Sequence, residues 1–248
     1  MGCRCPRVWQ SRDHSVPQWR LYLDHHTNWR FLHPIDCCRW FDQFMGTVRD
    51  SMGTLVMLHG LTGTPEMIRP LAETLCPPGW DILLPQGPFS HPERGSGWWI
   101  RDAPPETPLD GKTLTQVDES LASLVNQMPT GPLIVGGFSQ GSALAQELLS
   151  TEVAHQIVGV IVIGGKSARP VELRLSLSGG EPKRMISMHG ESDHIVPMWQ
   201  AEQTVEIFQE AGWDITILRH HKGHMVNLAQ QQALVDWVRK TAEMVDNG

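Results

Sequence analysis

A serine lies between two glycines in the stretch GGFSQGSA, residues 136–143. Gly137 lies two residues before Ser139, and Gly141 lies two residues after it. The stretch directly follows an apolar run at residues 132–135. Small flanking residues are needed where a strand turns sharply into a helix, because larger side chains would crowd the backbone. The pattern is therefore typical of a nucleophile elbow, which exposes a serine hydroxyl above the end of a sheet. The alternative is an ordinary glycine-rich turn.

A serine hydroxyl is a weak nucleophile at neutral pH, so the chain must also supply a base and a carboxylate that orients it. In folds with this elbow the acid follows the serine, and the histidine comes last. The stretch MHGESDHIVP (188–197) offers Asp193 after a predicted strand, and HHKGHMVN (220–227) offers His224 before the last predicted helix. We predict Ser139 as nucleophile, Asp193 as orienting acid and His224 as general base.

Other side chains near these positions compete for the same roles. Gly223 favours His224, because a glycine lets the backbone turn and place the next ring inward. His59 lies near the end of the first predicted strand after residue 50, where we expect its ring to brace the loop beneath the site. The remaining alternatives are Glu191 as the acid, and His194, His220 or His221 as the base.

Short apolar runs alternate with amphipathic stretches from residue 54 onward. Most runs are continuously apolar, as expected of strands covered on both faces. The alternation predicts an α/β fold with a mostly parallel central sheet, helices on both faces in three α/β/α layers, and a site at the carboxyl ends of the strands. Predicted strands cover residues 54–60, 80–85, 132–137, 157–165, 184–190 and 213–220, and predicted helices cover 65–75, 113–128, 139–151, 197–212 and 225–245.

The charge balance limits the classes of partner. A formal net charge of -7 with 19% charged residues gives no polybasic face, so we expect neither nucleic acid nor stable membrane anchoring. No apolar stretch approaches the length of a spanning helix, and the first ten residues lack the apolar segment of a secretory signal. These features predict a cytoplasmic protein that acts on small molecules.

The first fifth of the chain differs from the rest. Residues 1–50 hold four of the five cysteines, Cys3, Cys5, Cys37 and Cys38, in spacings unlike those of zinc ligand pairs. Neither a helical nor a strand period extends far through them. We predict a poorly ordered N-terminal extension at 1–50, or sequence upstream of a start at Met45 or Met52, rather than a functional arm. Residues 51–248 form the predicted catalytic domain, which we expect to need no metal and no cofactor.

Several motifs together resemble a known family. Six motifs occur in the order and spacing of the phospholipase/carboxylesterase group of α/β-hydrolases, which includes the acyl-protein thioesterases. They are LHGLTGTP, LPQGP, GSGWW, GGFSQGSALA, HGESDHIVP and GH. The resemblance covers residues 52–242. It implies the α/β-hydrolase fold, the triad roles given above, and an oxyanion hole made by the backbone N–H groups of Leu61 and Gln140. Gln140 also follows from its own position, since it directly follows the nucleophile at a helix start.

The sequence departs from the thioesterase pattern at two places. Thioesterase members usually read HGLGDTG, whereas Leu61 is followed here by Thr62, Gly63 and Thr64, and Ser142 stands where a second glycine is frequent. We therefore predict a serine carboxylesterase that cleaves small or acyl esters through an acyl-enzyme. The alternatives are acyl-protein thioesterase or lysophospholipase activity, and a non-catalytic ligand-binding protein of the same fold.

Large apolar residues suggest where an acyl group would bind. Trp98 and Trp99 follow RGSG, and together with Phe89 and Met198 they are the predicted walls of an apolar cleft. They are equally compatible with core packing. The proline-rich stretch at 101–112 predicts a surface loop near the mouth of the cleft.

Overall fold

The computed structural model of the chain describes residues 20–23, 29–32, 51–101, 103 and 107–246. The chain divides into two units, residues 1–50 and 51–248. In the first unit, β1 (Arg20–Leu23) pairs antiparallel with β2 (Trp29–Leu32). Strands of four residues are too short for a period to show in the sequence. Cys3, Cys5, Cys37 and Cys38 lie outside the described residues, so the predicted poor order and the expected lack of a metal site remain predictions.

The second unit is built on one sheet of six strands, all parallel to their neighbours. All six predicted strands are present in it, which confirms the predicted fold class. Two further strands of two residues each pair antiparallel outside this sheet, in the segment that follows residue 83 and precedes residue 111. In chain order the strands are β3 (Thr54–Leu58), β4 (Asp81–Leu83), β5 (Phe89–Ser90), β6 (Ser96–Gly97), β7 (Leu133–Phe138), β8 (Ile157–Ile163), β9 (Arg184–Gly190) and β10 (Asp214–His220). The order across the sheet is β10, β9, β8, β7, β3, β4.

Helices lie between the strands. They are α1 (Pro65–Leu75), α2 (Gly111–Val125), α3 (Gln140–Glu147), α4 (Pro170–Ser178), α5 (Met198–Glu210) and α6 (Gln231–Asp246). Five of them were predicted, and α4 was not. The Asp110 side chain accepts a hydrogen bond from the Thr113 backbone N–H at 2.7 Å, and this cap starts α2 two residues before its predicted beginning. Among the described helices, none is long and apolar enough to cross a bilayer.

Each face of the sheet has its own hydrophobic core, because successive side chains of a strand point to opposite faces. Val56 and Leu58 of β3 join buried residues of α2, α3, α4 and α5. Leu55 and Met57 of the same strand pack with buried residues of α1 and α6 on the other face. The result is the three-layer α/β/α arrangement expected from the sequence.

The parallel sheet brings the functional loops to one edge. The carboxyl ends of parallel strands meet at the same side of a sheet, and ligand sites of such folds lie there. The segments that leave β3, β7, β8, β9 and β10 at this edge are residues 59–64, 139, 164–169, 191–197 and 221–227. They contain Ser139, Asp193, His224 and Leu61.

Candidate active site

The turn at Ser139 is the strained point of the site. Ser139 joins β7 to α3 with φ 53° and ψ -118°, a positive φ that a residue with a side chain rarely adopts. Its N–H donates to the carbonyl oxygen of Ile163 at 2.8 Å, and its carbonyl oxygen accepts from the Ser142 hydroxyl at 2.8 Å. Hydrogen bonds on both sides of the residue therefore hold the strained conformation in place.

The two flanking glycines are required by the close approach of β3. A Cβ added at Gly137 would collide with the carbonyl oxygen of Leu58 and would lie 2.9 Å from the backbone carbon of Gly141. A Cβ at Gly141 would collide with the carbonyl oxygens of Leu58 and His59. The Gly-x-Ser-x-Gly spacing is thus explained by the backbone of the neighbouring strand.

Ser139, His224 and Asp193 form a continuous chain of hydrogen bonds. The Ser139 hydroxyl is 2.9 Å from His224 Nε2, and His224 Nδ1 is 2.7 Å from Asp193 Oδ2. An ionised carboxylate only accepts hydrogen bonds, so Nδ1 carries the proton and Nε2 is free to accept the serine proton. The Phe138 ring packs against the His224 ring at a centroid distance of 4.9 Å.

The Asp193 carboxylate is fully buried and held from several sides. Its Oδ1 accepts hydrogen bonds from the backbone N–H groups of Ile195 and Val196, both at 2.8 Å. On its other side the buried His189 ring donates from Nε2 to the carbonyl oxygen of Val196 at 2.8 Å and lies 3.5 Å from Asp193 Oδ2. The sequence analysis missed His189, although it lies in the quoted stretch MHGESDHIVP.

The alternative acid and bases lie elsewhere. Glu191 Oε2 is 2.7 Å from Nδ1 of His221, and that ring is 97% exposed. His194 is exposed, and His220 is buried at the end of β10. Among the described hydrogen bonds, none links Glu191, His194, His220 or His221 to Ser139.

His59 braces the loop after β3, as expected. Its Nδ1 donates to the carbonyl oxygen of Gly60 at 2.8 Å, and its Nε2 accepts from the backbone N–H of Gly87 at 3.0 Å. One ring nitrogen donates and the other accepts, so the ring is neutral, and burial lowers its pKa accordingly. The ring stacks on Trp98 at 5.1 Å, which explains why Trp98 is 1% exposed and belongs to the core.

The two residues expected to form the oxyanion hole line the same cleft as the nucleophile. Leu61 follows the end of β3 and Gln140 is the first residue of α3, and both border the cleft that contains Ser139. The Gln140 side chain accepts from the backbone N–H of Trp98 at 2.8 Å and donates to the carbonyl oxygen of Trp99 at 2.9 Å. This pair of bonds, which we call the Gln140 clamp, ties the start of α3 to the segment that carries Trp99.

The cleft has a volume of about 500 Å³. Of the four residues predicted for its walls, Trp99 lines it, whereas Trp98, Phe89 and Met198 are outside its lining. Phe89 is instead paired with Gly97 in the small β5–β6 sheet. Apolar walls that the sequence analysis did not identify are Leu109, Leu114, Ile195 and Trp199. The residues 107–109 of the predicted mouth loop also line the cleft, together with Arg101.

A buried ion pair lies behind the cleft wall. Arg169 lines the cleft, and its Nη2 is 2.5 Å from Asp118 Oδ1, while its Nη1 is 3.7 Å from Glu147 Oε2. Glu147 is 4% exposed at the end of α3. Burial raises the pKa of Glu147 to about 7, against the opposing effect of Arg169.

Within the part of the chain that the structure describes, no group of three or more His, Cys, Asp and Glu side chains has an arrangement suited to a metal ion.

Comparisons with known proteins place this fold and site in a family. A thermostable monoacylglycerol lipase from Bacillus sp. (strain H-257) is 29% identical over 136 residues, which are 55% of this chain and 50% of the lipase. The chain thus matches about half the length of that relative. The structure of Zea mays acyl-protein thioesterase 2 is similar with TM-score 0.62 and 19% identity, over 77% of this chain and 94% of that one. The Bacillus cereus carboxylesterase has TM-score 0.61 and 18% identity, over 82% and 98%.

The structural neighbours share the fold at identities too low to transfer a substrate. The match to the family covers residues 48–241, which include the six-stranded sheet and the loops that carry Ser139, Asp193 and His224. The chain belongs to the phospholipase/carboxylesterase family of α/β-hydrolases.

Proposed function

We propose that the protein is a serine carboxylesterase that hydrolyses small-molecule or acyl esters through Ser139, His224 and Asp193. The observation that carries this proposal is the chain of hydrogen bonds of 2.9 Å and 2.7 Å that runs from the serine hydroxyl to the buried carboxylate. Such a chain activates a hydroxyl because the imidazole accepts its proton while the carboxylate stabilises the resulting charge. Family membership supports the same reaction class.

The reaction has two steps. The Ser139 oxygen forms a bond to the ester carbonyl carbon while its proton passes to His224 Nε2, and the C–O bond to the alcohol then breaks as His224 gives that proton to the departing oxygen. In the second step the oxygen of a water molecule bonds to the acyl carbon while His224 takes a proton from it, and the bond from that carbon to the Ser139 oxygen then breaks as His224 returns the proton to Ser139, which releases the acid. The backbone N–H groups of Leu61 and Gln140 would stabilise the oxyanion in both steps, each by about 3 kcal/mol.

We assign the acyl group of the substrate to the cleft that Ser139 lines. Trp99, Leu109 and Leu114 make its apolar wall, and Ser139 and Gln140 also line it. A volume of about 500 Å³ falls within the range of ligand pockets. An apolar acyl chain can pack against this wall, while Arg101, Lys166 and Arg169 also line the cleft.

Thioester hydrolysis is the second candidate within the same site. The motif resemblance supports it, because the family that these motifs resemble includes the acyl-protein thioesterases, and the similarity to the monoacylglycerol lipase favours esters instead. A panel of matched esters and thioesters with acyl chains of increasing length separates the two activities. The preferred class is the one with the higher kcat/KM at equal chain length.

The first test is removal of the nucleophile. Ser139→Ala is expected to lower kcat for p-nitrophenyl esters by roughly 10⁶-fold and to abolish labelling by a fluorophosphonate, which reacts only with an activated serine. Ser123→Ala on the exposed face of α2 is the matched control and should leave both readouts unchanged. Retention of most activity by Ser139→Ala would exclude the proposed nucleophile, and an unlabelled wild-type protein would favour a ligand-binding role.

A further inference from the structure

A second cavity lies near the proposed catalytic residues and shares Leu61 with the acyl cleft. Its volume is about 620 Å³. The loop after β3, helix α1 and residues 226–231 enclose it. Its lining includes the charged side chain of Arg94 and a larger set of apolar residues, namely Leu61, Met67, Ile68, Leu71, Phe138, Val226 and Leu228.

Residues that line this cavity lie next to Ser139 and His224. Gly60 and Phe138 form its wall on that side, and a Cβ added at Gly60 would lie 3.5 Å from the Cβ of Ser139. The Phe138 ring, which lines the cavity, also packs on the ring of His224. Leu61 lines both this cavity and the acyl cleft. The candidate oxyanion residue therefore lies where the two spaces meet.

The direction of proton transfer indicates which part of the ester, acyl or alcohol, each of the two cavities would bind. When the tetrahedral intermediate collapses, the C–O bond to the alcohol breaks and His224 Nε2 delivers its proton to that oxygen. The alcohol part must therefore leave on the His224 side. The acyl part remains bonded to Ser139 and extends along the cleft that Ser139 and Gln140 line. The second cavity touches His224 through Phe138 and is lined by Val226, two residues beyond it.

We propose that this second cavity binds the alcohol part of the substrate and that this part is large and apolar. The inference rests on the proposed function and adds a substrate class to it: esters with an extended apolar group on both sides of the scissile bond. Met67 and Leu228, which are 60% and 66% exposed, line the cavity at the surface. Large apolar side chains held in water at the border of an apolar cavity are typical of a ligand-binding surface.

The test uses two ester series and measures how kcat/KM changes with chain length. The first series holds acetate constant and lengthens a linear alcohol, and the second holds p-nitrophenol constant and lengthens the acyl chain. For the wild-type enzyme, kcat/KM is expected to rise along the alcohol series. Met67→Glu should reduce the gain on going from the shortest to the longest alcohol by about 10-fold or more, because a charge at the cavity surface disfavours an apolar chain.

Two further variants separate the second cavity from the acyl cleft. Met244→Glu changes an equally exposed methionine on α6, at 59%, and should reproduce the wild-type rise. Trp199→Glu, at the border of the acyl cleft, should flatten the acyl series and spare the alcohol series. A wild-type enzyme indifferent to alcohol length, or a Met67→Glu variant that affects both series equally, would overturn the assignment. Activity that survives in Ser139→Ala would instead overturn the proposed function itself.

Discussion

At the scale of single residues, Asp193 is the best-connected side chain of the candidate site. One buried carboxylate accepts bonds from two backbone N–H groups, orients His224 and lies 3.5 Å from His189 Nε2. A buried charge is costly unless its oxygen atoms are satisfied. The loop of residues 191–197 is therefore folded around this carboxylate, and its geometry sets the position of His224.

The first prediction concerns His189 as a positioning residue. His189→Leu removes the N–H that holds the carbonyl oxygen of Val196, so the loop and the carboxylate lose a fixed partner. We expect kcat to fall by about 10-fold or more while KM changes little, because this hydrogen bond holds the loop that orients the reacting group and does not contact substrate. His189→Gln keeps a side-chain N–H and should restore most of the rate.

A spectroscopic measurement distinguishes positioning from loss of fold. The low-field proton resonance of His224 Nδ1–H reports directly on its bond to Asp193. It should shift in His189→Leu and return toward the wild-type value in His189→Gln. An unshifted resonance together with a normal rate in His189→Leu would contradict this role.

The three predicted catalytic side chains come together in the structure, whereas only one of the four predicted wall residues, Trp99, lines the cleft. The difference follows from how regular the chain is at these positions. Ser139, Asp193 and His224 lie at strand ends, where a parallel sheet determines where the chain goes next. Trp98 and Trp99 lie in an irregular segment, in which no period tells which of two neighbours faces inward. The stack of Trp98 on His59 depends on contacts between residues 39 positions apart, and no local pattern shows it. Trp199 was missed because it is exposed on α5.

At the scale of elements, the turn between β7 and α3 depends on how closely β3 packs beneath it. Gly141→Ala would drive a methyl group into the carbonyl oxygens of Leu58 and His59. We expect a loss of about 1–3 kcal/mol in the free energy of unfolding and a larger relative loss of kcat, because the shifted backbone carries Ser139. Urea unfolding and p-nitrophenyl ester kinetics measure the two effects.

Gly111→Ala is the matched control for this prediction. Gly111 begins α2 and has nothing within 4 Å of an added Cβ. Alanine forms helix more readily than glycine, so stability should hold or rise by up to about 1 kcal/mol, with kcat unchanged. Equal effects of the two substitutions would show that glycine flexibility, and not the approach of β3, governs the turn.

The buried end of α3 gives a pH dependence of stability. The pKa of Glu147 is raised by burial from 4.5 to about 7 in the folded protein. Between these two values the unfolded chain has lost the proton that the folded protein still holds, so the contribution of Glu147 to stability falls as pH rises. It is most favourable below pH 4.5 and levels off above about 7.

Glu147→Gln is expected to remove this dependence. The free energy of unfolding of the wild type, relative to the variant, should fall by about 3 kcal/mol as the pH rises through that window. Urea unfolding at four or five pH values between 5 and 8 follows most of the change. Curves of wild type and variant that run parallel over the whole range would contradict the assignment.

Element prediction succeeded where apolar runs were long and failed where they were short. Sheet strands such as β3, β7 and β8 carry the continuous apolar stretches expected of a sheet covered on both faces. Helix α4 has only Leu173 and Leu177 buried along its nine residues, so its pattern is too weak to read. The strands β5 and β6, of two residues each, have no detectable period.

At the scale of the whole molecule, the two hydrophobic cores are built from one continuous stretch of chain. Every residue that the structure assigns to them lies between Leu55 and Val245. We therefore propose that residues 51–248 form an independent catalytic domain. The predicted cytoplasmic location remains a prediction from composition and charge.

Deletion of residues 1–50 tests the domain proposal. The shortened chain should unfold with an unchanged midpoint in urea and keep kcat/KM for p-nitrophenyl acetate within about a factor of two, since both cores and the three catalytic candidates are retained. A large loss of stability or activity would assign the first fifth of the chain a structural or functional role in the folded enzyme.

The Gln140 clamp has a consequence for how substrate size is sensed. Trp99 lines the acyl cleft, and its carbonyl oxygen is bonded to the side chain of the residue whose backbone N–H is expected to face the oxyanion. An acyl chain that displaces Trp99 would transmit that displacement to the oxyanion donor. Poorly fitting acyl chains are then penalised during bond making more than during binding, so discrimination among them should appear in turnover and not in affinity.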